Sequence, residues 1–176
     1  PFEEVKEHLI PLPKEFALIS REWTKAESPE DLVRLTPKGR LREKLETALE
    51  FYEEFPRAFF FEAALDSHHL QGLVEQTGCL LPGDREIIKP LVRQEADIFN
   101  LMLIARGKFY YGLTARTLRP FYIPDTEIPP MVFAAMLNDP DLSSSMNRIS
   151  KRVLDAESFQ YGSKEGPIAV DASIPE

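Results

Sequence analysis

Residues 93–106 read RQEADIFNLMLIAR. Apolar residues recur here at spacings of three and four, which predicts an α-helix, and from 98 to 105 that helix is apolar on nearly every side. Such a helix is expected in the centre of a core rather than at the surface. From Glu95 to the closing arginine, only Glu95, Asp97 and Asn100 break the apolar pattern. Because buried polar groups need hydrogen-bond partners, these three side chains are the first candidates for a special role.

The predicted helix divides its polar residues between two faces. Glu95 and Arg106 fall in one stripe, and Asp97 lies on a second face with Leu101 and Ile104. The apolar members of the first stripe are Ile88, Val92, Phe99 and Met102.

Two roles fit these polar residues. We favour a structural one, in which Glu95, Asp97 and Asn100 are buried and bond neighbouring helix ends or arginines, which fixes how helices cross. An unpaired buried charge is strongly destabilising, so a partner is expected, such as Arg93, Arg106 or a residue on another helix. The alternative is catalysis by Glu95 and Asp97 as acids whose pKa values are shifted by burial.

Composition limits the classes of function. The chain has 176 residues, 43% of them hydrophobic, which suffices for one sizeable core or one core and part of a second. Its formal net charge of −8 disfavours phosphate backbones as ligands. Since no dense run of Lys and Arg is present, we expect no nucleic-acid partner.

The termini, the cysteine and the apolar runs bear on location. Cys79 is the single cysteine, so an intrachain disulfide is excluded, and we expect a reduced, half-buried thiol. No apolar run approaches the roughly 20 residues that cross a bilayer, so no membrane span is predicted. The chain begins with Pro1 and an amphipathic segment rather than a signal sequence, so we expect an interior piece of a longer protein.

Helical spacing recurs along the whole chain, whereas alternating β-branched runs do not. We therefore predict an all-α fold, a bundle of long and short helices. Ser28 should cap one helix with Pro29 at its first position, Pro56 should kink or split a long one, and Asp84 should cap the next. The predicted helices are about 2–10, 16–23, 29–36, 40–77, 84–112, 114–118 and 130–137.

The chain also contains an apparent repeat. A short helix, a proline break, a second helix and a Pro-Asp-Leu-type cap occur near 9–32 and again near 122–142, offset by roughly 110 residues. This predicts duplicated helical domains, with 1–112 as one repeat domain and 113–158 as the start of a second. Chance is the alternative, since proline-flanked short helices resemble one another. Residues 159–176 are rich in Gly, Ser and Pro and predict an irregular tail.

Other reactive residues give weak signals. Asp66 and His69 are three residues apart, but di-iron bundles need Glu-x-x-His on each of two helices, and His8 has Val5 in the acidic position. The serines at 143–145 lack nucleophile-elbow glycines, and no phosphate-binding loop is present. We therefore expect no metal, no cofactor and no catalytic residue.

A family resemblance rests on the residues around the central helix. Glu95-x-Asp97-x-x-Asn100-Leu, then Arg106-Gly-Lys108, then Gly112-Leu resembles the motif of the C subunit of A/V-type rotary ATPases, called subunit d in eukaryotes. The aromatic segment at 59–62, Phe-Phe-Phe-Glu, is similar to that family as well. The match is good from about 55 to 137 and looser before it.

The resemblance implies fold, partners and location. Its members are all-helical, with similar domains around a pseudo-threefold axis. They are non-catalytic central-stalk connectors that seat the central rotor shaft on the membrane rotor ring during ATP-coupled proton or sodium ion transport. The protein would then be cytoplasmic and peripheral on the membrane, and roughly half of the full-length funnel would be missing here. Glu95, Asp97, Asn100 and Arg106 would form a structural polar motif.

Two other functions stay open. A stand-alone helical adaptor would bind one partner through an exposed apolar groove. A bundle enzyme would bring Glu95 and Asp97 together in a pocket that solvent reaches, whereas the other two functions predict these carboxylates buried and bonded.

Overall fold

The computed structural model describes residues 23–157, with side chains described as far as residue 149. No strand occurs within these residues, and the predicted all-α fold is confirmed. The expectations for 1–22 and for the tail 159–176 lie outside the described residues. The α-helices are α1 (Pro29–Leu35), α2 (Arg40–Glu54), α3 (Phe59–Gln76), α4 (Pro82–Met102), α5 (Ala115–Leu118), α6 (Pro130–Asn138) and α7 (Leu142–Glu157). A π-helix spans Leu103–Tyr110, and 3₁₀ turns span Thr77–Cys79 and Arg119–Phe121.

The start of α1 follows the predicted capping chemistry. Ser28 is the N-cap, its Oγ accepts a hydrogen bond from the Asp31 N–H at 3.2 Å, and Pro29 takes the first helical position. The helix ends at Thr36, whose hydroxyl accepts a bond from the Trp23 indole at 3.0 Å. The local sequence was therefore enough to place this helix.

The long helix predicted over 40–77 is two helices. Pro56 lies in the break between α2 and α3, where the last N–H of the first helix, that of Phe55, bonds the Phe51 carbonyl. Proline supplies no backbone donor for the following turn, so the chain folds back instead of continuing. The two helices pack as an antiparallel pair and bury the rings of Phe51 and Phe60 against each other, 5.7 Å apart.

The two rings of this pair also contact Phe121, at centroid distances of 6.3 and 6.5 Å. This aromatic cluster joins α2, α3 and the 3₁₀ turn after α5 in one core. Aromatic pairs at such distances add to the stabilisation that their burial provides. The largest fully buried apolar side chains are Phe60, Phe121, Leu45, Leu103, Ile104, Leu118, Ile123 and Met136.

Helix α4 departs from the expected central helix in its first half. It begins at Pro82 rather than at the predicted cap Asp84, and residues 81–91 are exposed except for Lys89. Helix α4 packs against α3 and against the 3₁₀ turn that follows α3. The prediction of a helix buried on all sides is therefore wrong: its first half is exposed, and in its second half Ile98 and Met102 are 47% and 43% exposed, although Leu103 and Ile104 are buried as expected.

The second half widens into the π-helix and stops at Gly112. The Tyr111 N–H bonds the Arg106 carbonyl five residues back, and Gly112 takes a positive φ of 69°. Glycine adopts this left-handed conformation without steric cost, which explains the end of the helix.

Two further predictions concern the starts of α5 and α6 and the burial of Cys79. Helices α5 and α6 begin after Thr114 and at Pro130, as expected. The thiol of Cys79 is exposed, so the expectation of a half-buried thiol is wrong, because the 3₁₀ turn that carries it lies at the outer end of α3.

Candidate functional site

Asn100 joins α4 to the connecting segment, which we define as residues 122–129. Its side chain is fully buried. The amide Nδ2 donates to the Ile123 carbonyl at 3.0 Å, and the Ile123 N–H donates to the amide Oδ1, also at 3.0 Å. Nδ2 also lies 3.4 Å from Thr126 Oγ1. One side chain thus satisfies both backbone groups of a buried residue that belongs to no helix, as buried backbone requires.

Asp97 continues this contact one turn earlier on α4. Its two carboxylate oxygens accept hydrogen bonds from the N–H groups of Glu127 and Ile128, each at 3.0 Å. These N–H groups lie just before α6, where a negative charge is favoured by the helix dipole. Positions three apart share a helix face, so Asp97 and Asn100 hold the connecting segment together. We call this pair the backbone clamp.

The connecting segment adds bonds of its own. The hydroxyl of Tyr122 donates to the Ile128 carbonyl at 2.7 Å, and burial raises the pKa of this phenol. Arg93 lies 3.3 Å from the Glu127 carboxylate. These contacts, at Tyr122 near the start of the segment and at Glu127 near its end, add to those of the backbone clamp.

The π-helix places two basic residues on different neighbours. Lys108 Nζ donates to the Met136 carbonyl at 3.0 Å and to the Asp139 carbonyl, so it caps the last turn of α6. Arg106 instead pairs with Glu62 of α3 at 3.1 Å, where both side chains are about half exposed. Between them, Gly107 is buried and packs against Leu118.

The end of α6 is bonded to α7 through Asp139. This nearly buried carboxylate accepts hydrogen bonds from Arg148, at 2.6 and 3.2 Å, and from the Ser145 hydroxyl at 3.2 Å. The guanidinium of Arg148 is the main cause that lowers the pKa of Asp139 below its usual value, and Ser145 contributes in the same direction. The π-helix, α6 and α7 are thus connected through polar contacts at the end of α6.

The four predicted motif residues separate into three places. Asp97 and Asn100 come together on the connecting segment, and Arg106 faces α3. Glu95 is exposed and makes no hydrogen bond or ion pair with another residue of 23–149, so the expectation that it is buried is wrong. Val92 and Phe99 of the same stripe pack on the core, but no element of residues 23–149 covers Glu95, and Arg93, one of its expected partners, pairs with Glu127.

Several residues of this network were not predicted. Lys108 stood in the quoted motif, but nothing in the sequence identified the carbonyls of α6 as its partners. Asp139 follows α6 and Arg148 lies in α7, nine residues later, and nothing in the sequence identified them as a pair. Their contact depends on the angle between α6 and α7, which the sequence does not state.

The arrangement offers little for catalysis. Both oxygens of Asp97 are occupied by backbone N–H groups, and Glu95 lies on another face. A cavity of about 110 Å³ between α3 and α4 is lined by neither of them. In the part of the chain that the structure describes, no three His, Cys, Asp or Glu residues are placed to hold a metal ion. Nor does any helix among those residues have the length and apolar character needed to cross a membrane.

Comparison with known proteins now identifies the family. The comparisons with curated proteins and with solved structures found no match. The family model described as ATP synthase (C/AC39) subunit matches residues 1–171, which confirms the resemblance seen in the motif around Asp97 and Asn100. The chain therefore belongs to the ATP synthase (C/AC39) subunit family, the stalk subunits of V/A-type ATPases.

Proposed function

We propose that the protein is a non-catalytic central-stalk connector that seats the rotor shaft on the membrane rotor ring of a V/A-type ATPase. It would serve ATP-coupled transport of protons or sodium ions from the cytoplasmic side, as a peripheral subunit. Family membership supports this proposal. The observation that carries the non-catalytic part is the backbone clamp, whose polar atoms are used in holding the connecting segment.

A connector that passes torque between two partners has to resist bending, and the clamp supports such a role. A side chain bonded to both backbone groups of one residue restrains position and orientation together. Four hydrogen bonds between side chains of α4 and the backbone link this helix to the connecting segment, and Lys108 makes two more with carbonyls at the end of α6. We infer that Asp97, Asn100 and Arg106 are structural, whereas Glu95 faces outward and is free for a contact at the surface.

The domain organisation belongs to the same proposal. We infer that 1–112 forms one repeat and 113–158 begins a second, within a pseudo-threefold arrangement. An experimental structure that includes the first 22 residues would test this. Superimposing the segments that start at 2 and 114 should bring their helices into register, and unrelated helix directions would contradict the repeat.

The competing proposal is a stand-alone helical adaptor. The observation in its favour is the exposed apolar side of α4, where Ile87 and Leu91 are 67% and 56% exposed. An adaptor would bind its partner in the absence of any ATPase subunit. The rotary proposal expects the shaft and ring subunits to accompany the protein.

Co-purification with function separates the two. The tagged chain, in its native full-length context, is isolated from membranes, and shaft and ring subunits should be recovered with it. In the isolated complex, Asn100→Ala should reduce ATP-driven ion transport more than ATP hydrolysis, because the loosened connector transmits less torque. Asn138→Ala, the same substitution at an exposed site, is the control. Recovery of neither shaft nor ring subunits would contradict the rotary assignment.

A further inference from the structure

The exposed side of α4 has the spacing of a helix-pairing surface. Ile87, Leu91, Gln94 and Ile98 follow one another at intervals of four, three and four residues, and all four are exposed. This is the repeat by which one helix packs along another. The line extends about 17 Å, or three helical turns, along the helix. We call these four residues the α4 seam.

The seam is distinct from the side of α4 that packs on the body of the protein. The opposite side carries Val92, Ala96 and Asn100, which contact α3 or the connecting segment. Ala96 and Asn100 are buried, whereas Ile98, which lies between them in the sequence, is on the other side of the helix and is 47% exposed. No element of residues 23–149 covers the seam, and exposed apolar surface of this extent on a regular helix is typical of a contact site.

The charges around the seam have one sign. Asp84 extends its line towards the start of the helix, and Glu95 flanks it between Leu91 and Ile98. Neither forms an ion pair with another residue of 23–149. The arginines of the same helix are directed elsewhere: Arg85 donates to the Gly78 and Leu80 carbonyls, and Arg93 pairs with Glu127. The surface therefore combines aliphatic side chains with an acidic border.

The cavity described above lies on the neighbouring face of α4, and no seam residue lines it. It lies between α3 and α4, beside the exposed Met102, and Asp66 and Glu62 both line it. Glu62 is paired with Arg106, which also lines the cavity, whereas Asp66 is not. Although much of its side chain is exposed, partial loss of water contact and the nearby Glu62 raise the pKa of Asp66. A cationic side chain placed there would favour the ionised carboxylate.

We propose that the α4 seam binds one amphipathic helix of a partner protein, with aliphatic residues at alternating spacings of three and four and with Lys or Arg along its edges. This goes beyond the proposed connector function, since it assigns the kind of partner surface. A second copy of this chain is disfavoured as the occupant, because both copies would bring the same acidic border to the contact. Like charges across a helix pair are unfavourable, and each copy carries a net charge of −8.

Two synthetic helices test the proposal on the intact chain. Both have the same Leu and Ile face, and one carries Lys at the edges where the other carries Glu. Fluorescence anisotropy should give at least ~10-fold tighter binding of the Lys peptide at low salt, and a smaller ratio at about 0.5 M salt, where exposed charges are screened. Glu95→Gln should reduce the preference for the Lys peptide.

Variants of the protein locate the contact. Ile98→Glu should weaken Lys-peptide binding by about 10-fold or more, and Met131→Glu, at an 82% exposed position on α6, should leave it unchanged. Circular dichroism and the urea midpoint check that both variants fold. Equal binding of the two peptides, binding of neither, or an equal loss in Met131→Glu would overturn the proposal. A dimer in sedimentation that Ile98→Glu dissociates would also overturn it, in favour of self-association. Because the assay needs no ATPase subunit, its failure would not be failure of the connector function.

Discussion

Replacing Asn100 by alanine removes the buried half of the backbone clamp. The Ile123 N–H and carbonyl both lose their 3.0 Å partners, and the site is closed to water because Asn100 and Ile123 are fully buried. An unsatisfied buried group costs about 1–3 kcal/mol, so two of them cost about 2–6 kcal/mol before relaxation. We expect a loss of about 3 kcal/mol in the free energy of unfolding.

Urea denaturation measures this loss. With a slope of about 2 kcal/mol per molar urea, the midpoint should fall by about 1.5 M. Asn138→Ala is the matched control, since its amide bonds the Ala134 carbonyl on an exposed helix face. That variant should lie within about 0.5 kcal/mol of the parent protein. Equal midpoints for the two variants would refute the reasoning.

Asn100→Asp distinguishes hydrogen bonding from loss of volume. An ionised carboxylate can still accept a hydrogen bond from the Ile123 N–H, but its second oxygen would face the Ile123 carbonyl oxygen. Repulsion between these two oxygens should raise the pKa of the new carboxyl group in the native state. The protonated form donates to that carbonyl and restores the bond. A group with a raised native pKa contributes stability that is complete below its unfolded value of about 3.9 and lost as pH rises through the native pKa. The stability difference between Asn100→Asp and the parent should therefore shrink from pH 7 towards pH 4, and a constant difference would contradict the bond.

Two further outcomes follow from other contacts. In Gly107→Ala the new methyl would lie 2.5 Å from a Leu118 methyl carbon, so overpacking should lower the free energy of unfolding by about 1–3 kcal/mol. In Gly72→Ala, in α3, the new methyl has no neighbour within 4 Å, and the free energy of unfolding should rise by about 0.5–1 kcal/mol. Urea denaturation measures both changes. The lowered pKa of Asp139 contributes stability that is present above its unfolded pKa and is lost as pH falls through the native pKa. Acid titration followed by circular dichroism should show a weaker acid dependence in Asp139→Asn, and an unchanged profile would argue against the Arg148 pair.

The parts of the fold that were predictable depend on local chemistry. Ser28 followed by Pro29 specifies a helix start whatever surrounds it, and Pro56 cannot continue a helix without loss. The sequence left a kink and a split equally open at Pro56, because the choice depends on whether α3 can pack back on α2. Helix α7 was not predicted, although Asp141 caps its first turn by accepting a hydrogen bond from the Ser144 N–H at 2.7 Å.

The sequence predicted the side chains on α4 that form the clamp, but not the backbone groups that they bind. An amide and a carboxylate within an apolar helix indicated buried bonding, and Asn100 and Asp97 do bond in this way. Their partners are backbone N–H and carbonyl groups, which every residue type except proline provides in full, so no residue type identified 123, 127 and 128 in advance. The exposure of Glu95 was missed for a related reason: helical periodicity gives the faces of a helix but does not state which neighbour is present to cover each one.

The prolines of the connecting segment have a consequence for how the clamp forms. Its donors are the N–H groups of Ile123, Glu127 and Ile128, and Pro124 and Pro129 directly follow two of these positions. A residue before proline is biased towards an extended backbone even in the unfolded chain. The segment therefore has fewer conformations to lose when α4 meets it. Proline itself would be incompatible at 123, 127 or 128, because it lacks the N–H group that the clamp binds.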